Sequence, residues 1–186
     1  MPIVRVTLIE GYDDATIRTL SARLTDAVRA TIAAPPAGIT VVTETVRPAC
    51  YMRGGESRSP GPAAPSAVDV VKDFLARLEA RDLAGATALT GDGFEKVFPS
   101  GKQMRDLETL VEWSRTRYAR VRKQFDGFDE AVSGDRAIVW CRGTLEGAWT
   151  DGTPFEGIRF CDRFELSGGR IVFQEVWNDL SEWRPR

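Results

Sequence analysis

Residues 56–65, ESRSPGPAAP, divide the chain before any element is assigned. Proline, glycine, serine and alanine dominate, and no apolar period survives across the segment. A stretch of this kind is a semi-extended linker. It splits the 186 residues into two separate folding problems. The boundaries expected are a first domain at 1–55, the linker at 56–65 and a second domain at 66–186.

Residues 2–9, PIVRVTLI, alternate as a strand, with Val4, Val6 and Leu8 on one face and Ile3, Arg5, Thr7 and Ile9 on the other. Asp13 is a good N-cap, and Ile17, Leu20, Leu24 and Val28 repeat at three and four, which predicts an amphipathic helix to about Ile32. Pro35-Pro36 stops it. Residues 39–46, ITVVTETV, read as a second strand. Strand, helix and strand over so short a span predict parallel pairing, and residues 47–55 close the unit as a short hairpin or arm. A two-stranded unit below ~60 residues buries too little to stand alone, so a homo-oligomer is expected.

After the linker, Val68, Val71, Leu75 and Leu78 form a helical stripe with Phe74 beside it. Asp82 caps a short second helix, residues 90–103 read as irregular, and Asp106 caps a third helix whose apolar positions run to Val121. Strands are expected at 136–149, 154–166 and 170–179, joined by turns at Asp151-Gly152 and Gly168-Gly169. Helices first and an antiparallel sheet afterwards make an α+β domain. The basic run Arg115, Arg117, Arg120, Arg122 and Lys123 reads as a solvated helix face.

Composition narrows the chemistry. The chain has no histidine, which removes Ser-His-Asp and Cys-His machinery and a histidine general base. Acid–base work falls to carboxylates, tyrosine, lysine, cysteine or the amino terminus. A net charge of -2 and the lack of a long apolar run give no basis for a nucleic-acid or membrane partner. Cys50, Cys141 and Cys161 are expected as reduced cytoplasmic thiols, with a Cys141–Cys161 cross-strand disulfide as the lesser alternative. No metal or organic cofactor is expected.

Pro2 is the first candidate catalytic group. Removal of Met1 would leave it a free secondary amine, with a reference pKa near ~8 that burial or nearby cations lower. The Pro2 start, Glu10-Gly11, Ala34-Pro35-Pro36, Val41-Val42-Thr43-Glu44 and Gly54-Gly55 together resemble the 4-oxalocrotonate tautomerase family over residues 2–55. The resemblance implies a β-α-β protomer, an oligomer, and an N-terminal proline that moves a proton on an enol or keto acid. Arg5, Tyr12 and Tyr51 are its candidate substrate contacts. Tyr12 and Ile39-Thr40 stand where the family commonly has arginines, which points to a neutral or larger ketone.

The second domain resembles the SnoaL-like branch of the nuclear-transport-factor-2-like fold. The pattern that carries this is DRFELSGGRIVFQEVWND at residues 162–179, behind the helical start SAVDVVKDFLARLEARDL. The resemblance implies a cone, a curved sheet wrapped by helices around a deep apolar pocket; its members include cyclases, isomerases, hydratases and non-catalytic proteins. Ile158, Phe160, Asp162 and Phe164 alternate onto one face, so Asp162 is the candidate acid–base, its pKa raised by apolar neighbours. Pairing of Asp162 with Arg159, Arg142 or Arg163 is the alternative. In the last strand Ile171, Phe173, Glu175, Trp177 and Asp179 share a face. Phe98, Trp113, Tyr118, Trp140 and Trp177 are candidate walls for a flat polycyclic ligand.

Both resemblances concern protons beside carbonyls. The expected function is cofactor-free proton transfer on a small-molecule enolisable carbonyl compound, such as a polyketide-type natural-product intermediate. Two alternatives stay open: a catalytic cone with the first domain as oligomerisation scaffold, and a non-catalytic ligand-binding protein.

Overall fold

The computed structural model describes residues 1–183, and of Ser100 the backbone alone. It falls into two compact units, Met1–Ala63 and Ala64–Arg186.

In the first unit β1 (Ile3–Ile9) pairs in parallel with β2 (Thr40–Val46), with Ile3 opposite Thr40 and Ile9 opposite Val46. Helix α1 (Asp14–Thr31) joins them. The Asp13 side chain accepts from the Thr16 amide at 2.8 Å and starts the helix; Pro35 and Pro36 follow its end. Val4, Val6 and Leu8 are half-buried, whereas Ile3, Arg5 and Thr7 are exposed. The arm closes as a hairpin of β3 (Met52–Arg53) and β4 (Glu56–Ser57) about Gly54-Gly55, both with positive φ. Glu56 and Ser57 therefore belong to the hairpin rather than to the linker. No residue of this unit is fully buried, and Ile3 is 62% exposed.

The second unit opens with α2 (Ala67–Glu79) and α3 (Leu83–Thr87). The Ser66 and Asp82 side chains cap them, and α2 buries Val71, Phe74 and Leu75. Residues 90–97 form strand β5 (Thr90–Val97) rather than an irregular segment, followed by the short β6 (Gln103–Met104). Phe94, Lys96 and Phe98 alternate inward from it. Helix α4 (Leu107–Arg115) starts at the Asp106 cap but ends two turns short of the helix read from sequence. From Tyr118 the chain is strand β7 (Tyr118–Ser133), so the basic run straddles a helix end and a strand and is not one solvated helix face.

Strands β8 (Arg136–Trp149), β9 (Pro154–Ser167) and β10 (Arg170–Asn178) follow, and α5 (Leu180–Trp183) ends the described chain. The six-stranded sheet has the order β6-β5-β10-β9-β8-β7 and is antiparallel except for the β5–β10 pair. Bulges in β7, β9 and β10 bend it, because an extra residue on one strand raises local twist. Gly143 and Gly147 permit the close approach of β7: a Cβ on Gly143 would lie 1.8 Å from the Gln124 carbonyl oxygen. The helices cover the concave face, and between them lies the core of Phe74, Phe164, Ile158, Ile171 and Val139.

The bulge between Ile171 and Phe173 overturns the face assigned to the last strand. Beyond it the alternation reverses, so Gln174 and Val176 are buried and Trp177 is exposed. A one-residue insertion sends every later side chain to the opposite face.

Candidate functional site

A cavity of about 160 Å³ lies between the concave sheet face and the helices of the second unit. That is roughly ten times the space one water needs. Leu75 and Leu78 from α2 and Leu110 and Ser114 from α4 form one side. The sheet supplies Lys96, Phe98, Lys123, Phe125, Leu145, Phe160, Asp162 and Val176, and Tyr118 stands at the head of β7. The wall is largely apolar, so the few polar groups decide what it can hold.

Asp162 is fully buried. Its Oδ2 accepts from the Lys123 ammonium and from Gln174 Nε2, the latter at 2.9 Å. Oδ1 has no partner, and neither has Gln174 Oε1. The Lys123 ammonium also lies 4.4 Å from the Phe160 ring centroid. None of the three arginines considered as partners reaches Asp162. Arg159 pairs with Asp179 at 2.8 Å, Arg163 with Glu165 at 2.6 Å, and Arg142 with Asp129. Arg159 and Arg163 are out of phase with Asp162 along β9 and belong to the other face.

Lys96 is 7% exposed and neighbours Gln174 in the register of β5 and β10. Its Nζ stands 5.0 Å from the Phe98 ring centroid, and among the described residues no carboxylate pairs with it. Burial lowers its pKa to about 7; the Asp162 charge opposes the shift and the Lys123 charge adds to it. Desolvation penalises the ammonium and leaves the amine. Burial raises Tyr118, and burial with the Asp162 charge raises the Cys141 thiol to about 12. All three cysteines are free, so the Cys141–Cys161 disulfide is absent.

Phe98 and Tyr118 line the cavity as the sequence suggests. Trp113 does not; it packs behind Phe98 with ring centroids 4.5 Å apart. Trp140 and Trp177 stack on each other at 5.6 Å, are 37% and 40% exposed, and are not cavity walls. The bulge accounts for Trp177, and Trp140 lies out of phase with the buried Val139 and Cys141. Lys96, Lys123 and Gln174 escaped the sequence reading. The signal for two of them was present: Phe94-x-Lys96-x-Phe98 and Val121-x-Lys123-x-Phe125 each place a lysine in phase with apolar residues.

In the first unit Pro2 is half-buried at the head of β1, its carbonyl accepting from the Thr40 amide at 3.1 Å. Arg5 is exposed on the open sheet face; Tyr12 and Tyr51 are half-buried. Among the described residues no hydrogen bond or ion pair joins these four. Among the described residues no group of three histidine, cysteine, aspartate or glutamate side chains is placed to hold a metal ion, and no described helix is long and apolar enough to cross a membrane.

A family model described as tautomerase enzyme matches residues 2–59, and one described as SnoaL-like domain matches residues 71–174. The chain belongs to both families. A relative named "Probable tautomerase SAV1363" from Staphylococcus aureus strain Mu50 is 41% identical over 59 residues, 32% of this chain and 97% of its own. A relative named "Probable tautomerase MW1250" from Staphylococcus aureus strain MW2 matches equally. Among solved structures, an NTF2-like protein of unknown function from Burkholderia pseudomallei is 21% identical with a TM-score of 0.51, covering 62% of this chain and 92% of its own. TerC, co-crystallised with polyporic acid, is 18% identical with a TM-score of 0.53, over 63% and 94%. A protein named "Putative SnoaL-like polyketide cyclase" from Jannaschia sp. CCS1 is 18% identical with a TM-score of 0.50, over 68% and 94%. These structural likenesses establish the NTF2-like cone. With both family matches, the tautomerase–SnoaL-like chain is an enzyme of the isomerase, tautomerase or cyclase type.

Proposed function

We propose that this tautomerase–SnoaL-like protein catalyses cofactor-free proton transfer on an enolisable ketone of the polyketide type, with Asp162 as acid–base in the cone. The observation that carries the reading is Asp162 itself: fully buried, lining an apolar cavity, and with Oδ1 unpartnered. Oδ1 takes a proton from the carbon beside the substrate carbonyl and returns it there or to a neighbouring atom. As the carboxylate is neutralised, negative charge moves to the enolate oxygen. Lys123, already held against the carboxylate, then offsets that charge in a site of low polarity. Phe98, Tyr118 and Phe160 give a flat substrate its walls. The relatives named for a polyketide cyclase and crystallised with polyporic acid support a ring-bearing substrate.

Pro2 is the proposed base of the first unit, with Arg5, Tyr12 and Tyr51 as its substrate contacts. That site needs Met1 removed and needs neighbours that one protomer does not supply. Its open sheet face, with Ile3, Arg5 and Thr7 exposed, favours a homo-oligomer. A second reading makes the cone the sole site of reaction and the first unit its oligomerisation scaffold. The cavity in the second unit favours it, since no residue of the first is fully buried.

The test is deuterium exchange beside the carbonyl of 4-phenyl-2-butanone, followed by NMR, together with ketonisation of phenylenolpyruvate. Asp162→Asn and Pro2→Ala are assayed singly, and intact mass reports the N-terminus. Loss with both variants supports two sites, and loss with Asp162→Asn alone supports the second reading. Wild-type rates in both variants would discard the site assignment.

A further inference from the structure

We propose that Lys96 is a nucleophilic amine of the cone cavity, which takes up aldehydes and ketones covalently as a protonated imine. Three observations meet at this side chain. It lines the cavity while only 7% exposed. The buried carboxylate beside it, Asp162, is engaged by Lys123 and Gln174, which leaves Lys96 with no carboxylate partner among the described residues. The Lys123 charge stands in the same cavity and disfavours a second ammonium. A lysine desolvated in an apolar pocket beside another cation is the known way to keep an amine nucleophilic near neutral pH. Lys72 and Lys102 are exposed, and Lys123 is ion-paired, so the four lysines of the chain are not equivalent.

The chemistry balances without a further reagent. The Lys96 nitrogen lone pair adds to the carbonyl carbon, the C=O π pair moves to oxygen, and a proton passes from nitrogen to that oxygen. The carbinolamine then loses its hydroxyl, protonated by the Lys123 ammonium of the same cavity, as water while the nitrogen lone pair forms C=N. The product is an iminium, and addition of water reverses the sequence. The positive nitrogen acidifies the neighbouring C–H, whose proton Asp162 Oδ1 accepts, giving an enamine. This deepens the proposed function and rests on reading the cavity as a carbonyl site: the proton transfer runs through an enamine instead of a free enolate.

The full-length protein is incubated at pH 7 with trans-cinnamaldehyde and sodium cyanoborohydride, then digested and mapped by mass spectrometry. Hydride adds to the imine carbon and fixes the label as a secondary amine. At pH 7 about half of Lys96 is neutral, against ~0.04% of an ordinary lysine. The expected result is labelling of Lys96 at least ~10-fold faster than Lys72 or Lys102, levelling off above about pH 7 while the others keep rising. Lys96→Arg keeps the charge, loses the label at that peptide, and leaves Lys72 and Lys102 unchanged. Labelling of Lys96 no faster than Lys72 and Lys102 overturns the proposal. Exchange that depends on Asp162 without label on Lys96 overturns the imine and leaves the proton-transfer reading standing. Label on Lys96 without exchange upholds the imine and removes that reading.

Discussion

Replacing Lys96 by methionine should make the cone more stable while ending its chemistry. Methionine fills nearly the same volume beside Phe98 and has no charge to desolvate. Moving the lysine from its ordinary 10.5 to about 7 costs about 4 to 5 kcal/mol of folding free energy where both states are protonated, and progressively less as pH rises towards 10.5. The sign follows from proton counts. Between pH 7 and 10.5 the unfolded chain binds the proton and the folded chain does not, so wild-type stability rises with pH across that window relative to the variant. Below about pH 7 both states are protonated and the penalty is complete.

Lys96→Met should therefore be more stable than wild type by about 4 kcal/mol at pH 6 to 7 and by only about 1 kcal/mol at pH 9.5, the gap narrowing steadily between them. Cys141 also titrates differently in the folded protein, but it does so in both proteins and cancels in the difference. The assay is urea unfolding followed by tryptophan fluorescence. All five tryptophans, Trp113, Trp140, Trp149, Trp177 and Trp183, lie in the second unit, so the signal reports the cone even in the full chain. A gap that stays constant from pH 6 to 9.5, or a variant less stable at pH 7, would refute the account of a buried, unpaired amine.

Other outcomes follow from the same coordinates. Asp162→Asn should lower carbonyl-dependent exchange by ~10²-fold or more, because an amide cannot take the proton, with the loss in kcat rather than in substrate binding. Gly143→Ala should destabilise the cone by ~3 kcal/mol or more in the same urea assay, since its Cβ would meet the Gln124 carbonyl at 1.8 Å and strand backbone has nowhere to retreat. Thiol titration with a disulfide reagent at pH 8 should consume the exposed Cys50 first and leave Cys141 untouched until the cone unfolds, because burial holds that thiol near 12. Trp177→Ala should leave exchange within ~2-fold of wild type, since Trp177 stacks on Trp140 outside the cavity; a larger loss would restore it as a pocket wall.

What the sequence reveals depends on whether local pattern and final face agree. The β-α-β unit is legible because Asp13, Pro35-Pro36 and strict alternation in residues 3–9 all act locally. Strands β8 and β9 are legible for the same reason, and Phe160-Asp162-Phe164 places the buried acid correctly. The last strand fails at one point. The bulge after Ile171 depends on how β10 meets both β5 and β9, and no residue in the strand announces it. Trp177 leaves the cavity and Gln174 enters it on that account. The two lysines were lost differently. Phe94-Lys96-Phe98 lies in a segment rich in glycine and charge, and Val121-Lys123-Phe125 lies where helical spacing runs on past the true end of α4. In both, the period-two signal was weaker than a competing local one, although the same alternation located Asp162.

The absence of histidine now has a positive counterpart. With no imidazole in the chain, a group poised near neutral pH is a shifted carboxylate, thiol or tyrosine, or an amine brought down to that range. The cone achieves this by burial. Phe94 and Phe98 flank Lys96 in sequence, Lys123 pairs with the buried Asp162, and among the described residues no carboxylate pairs with the amine. In the first unit Pro2, the proposed base, starts near that range once Met1 is removed and a neighbouring protomer completes its site. On these proposals the two units reach a neutral amine by opposite routes, Lys96 from desolvation and Pro2 from position in the chain. This difference predicts opposite responses to substitution. The Lys96 amine stays neutral only while it stays dry, so a polar replacement such as Phe98→Gln should raise the Lys96 pKa and shift the cinnamaldehyde labelling profile to higher pH. The proline's reactivity should depend on a free N-terminus and remain unmoved by that change.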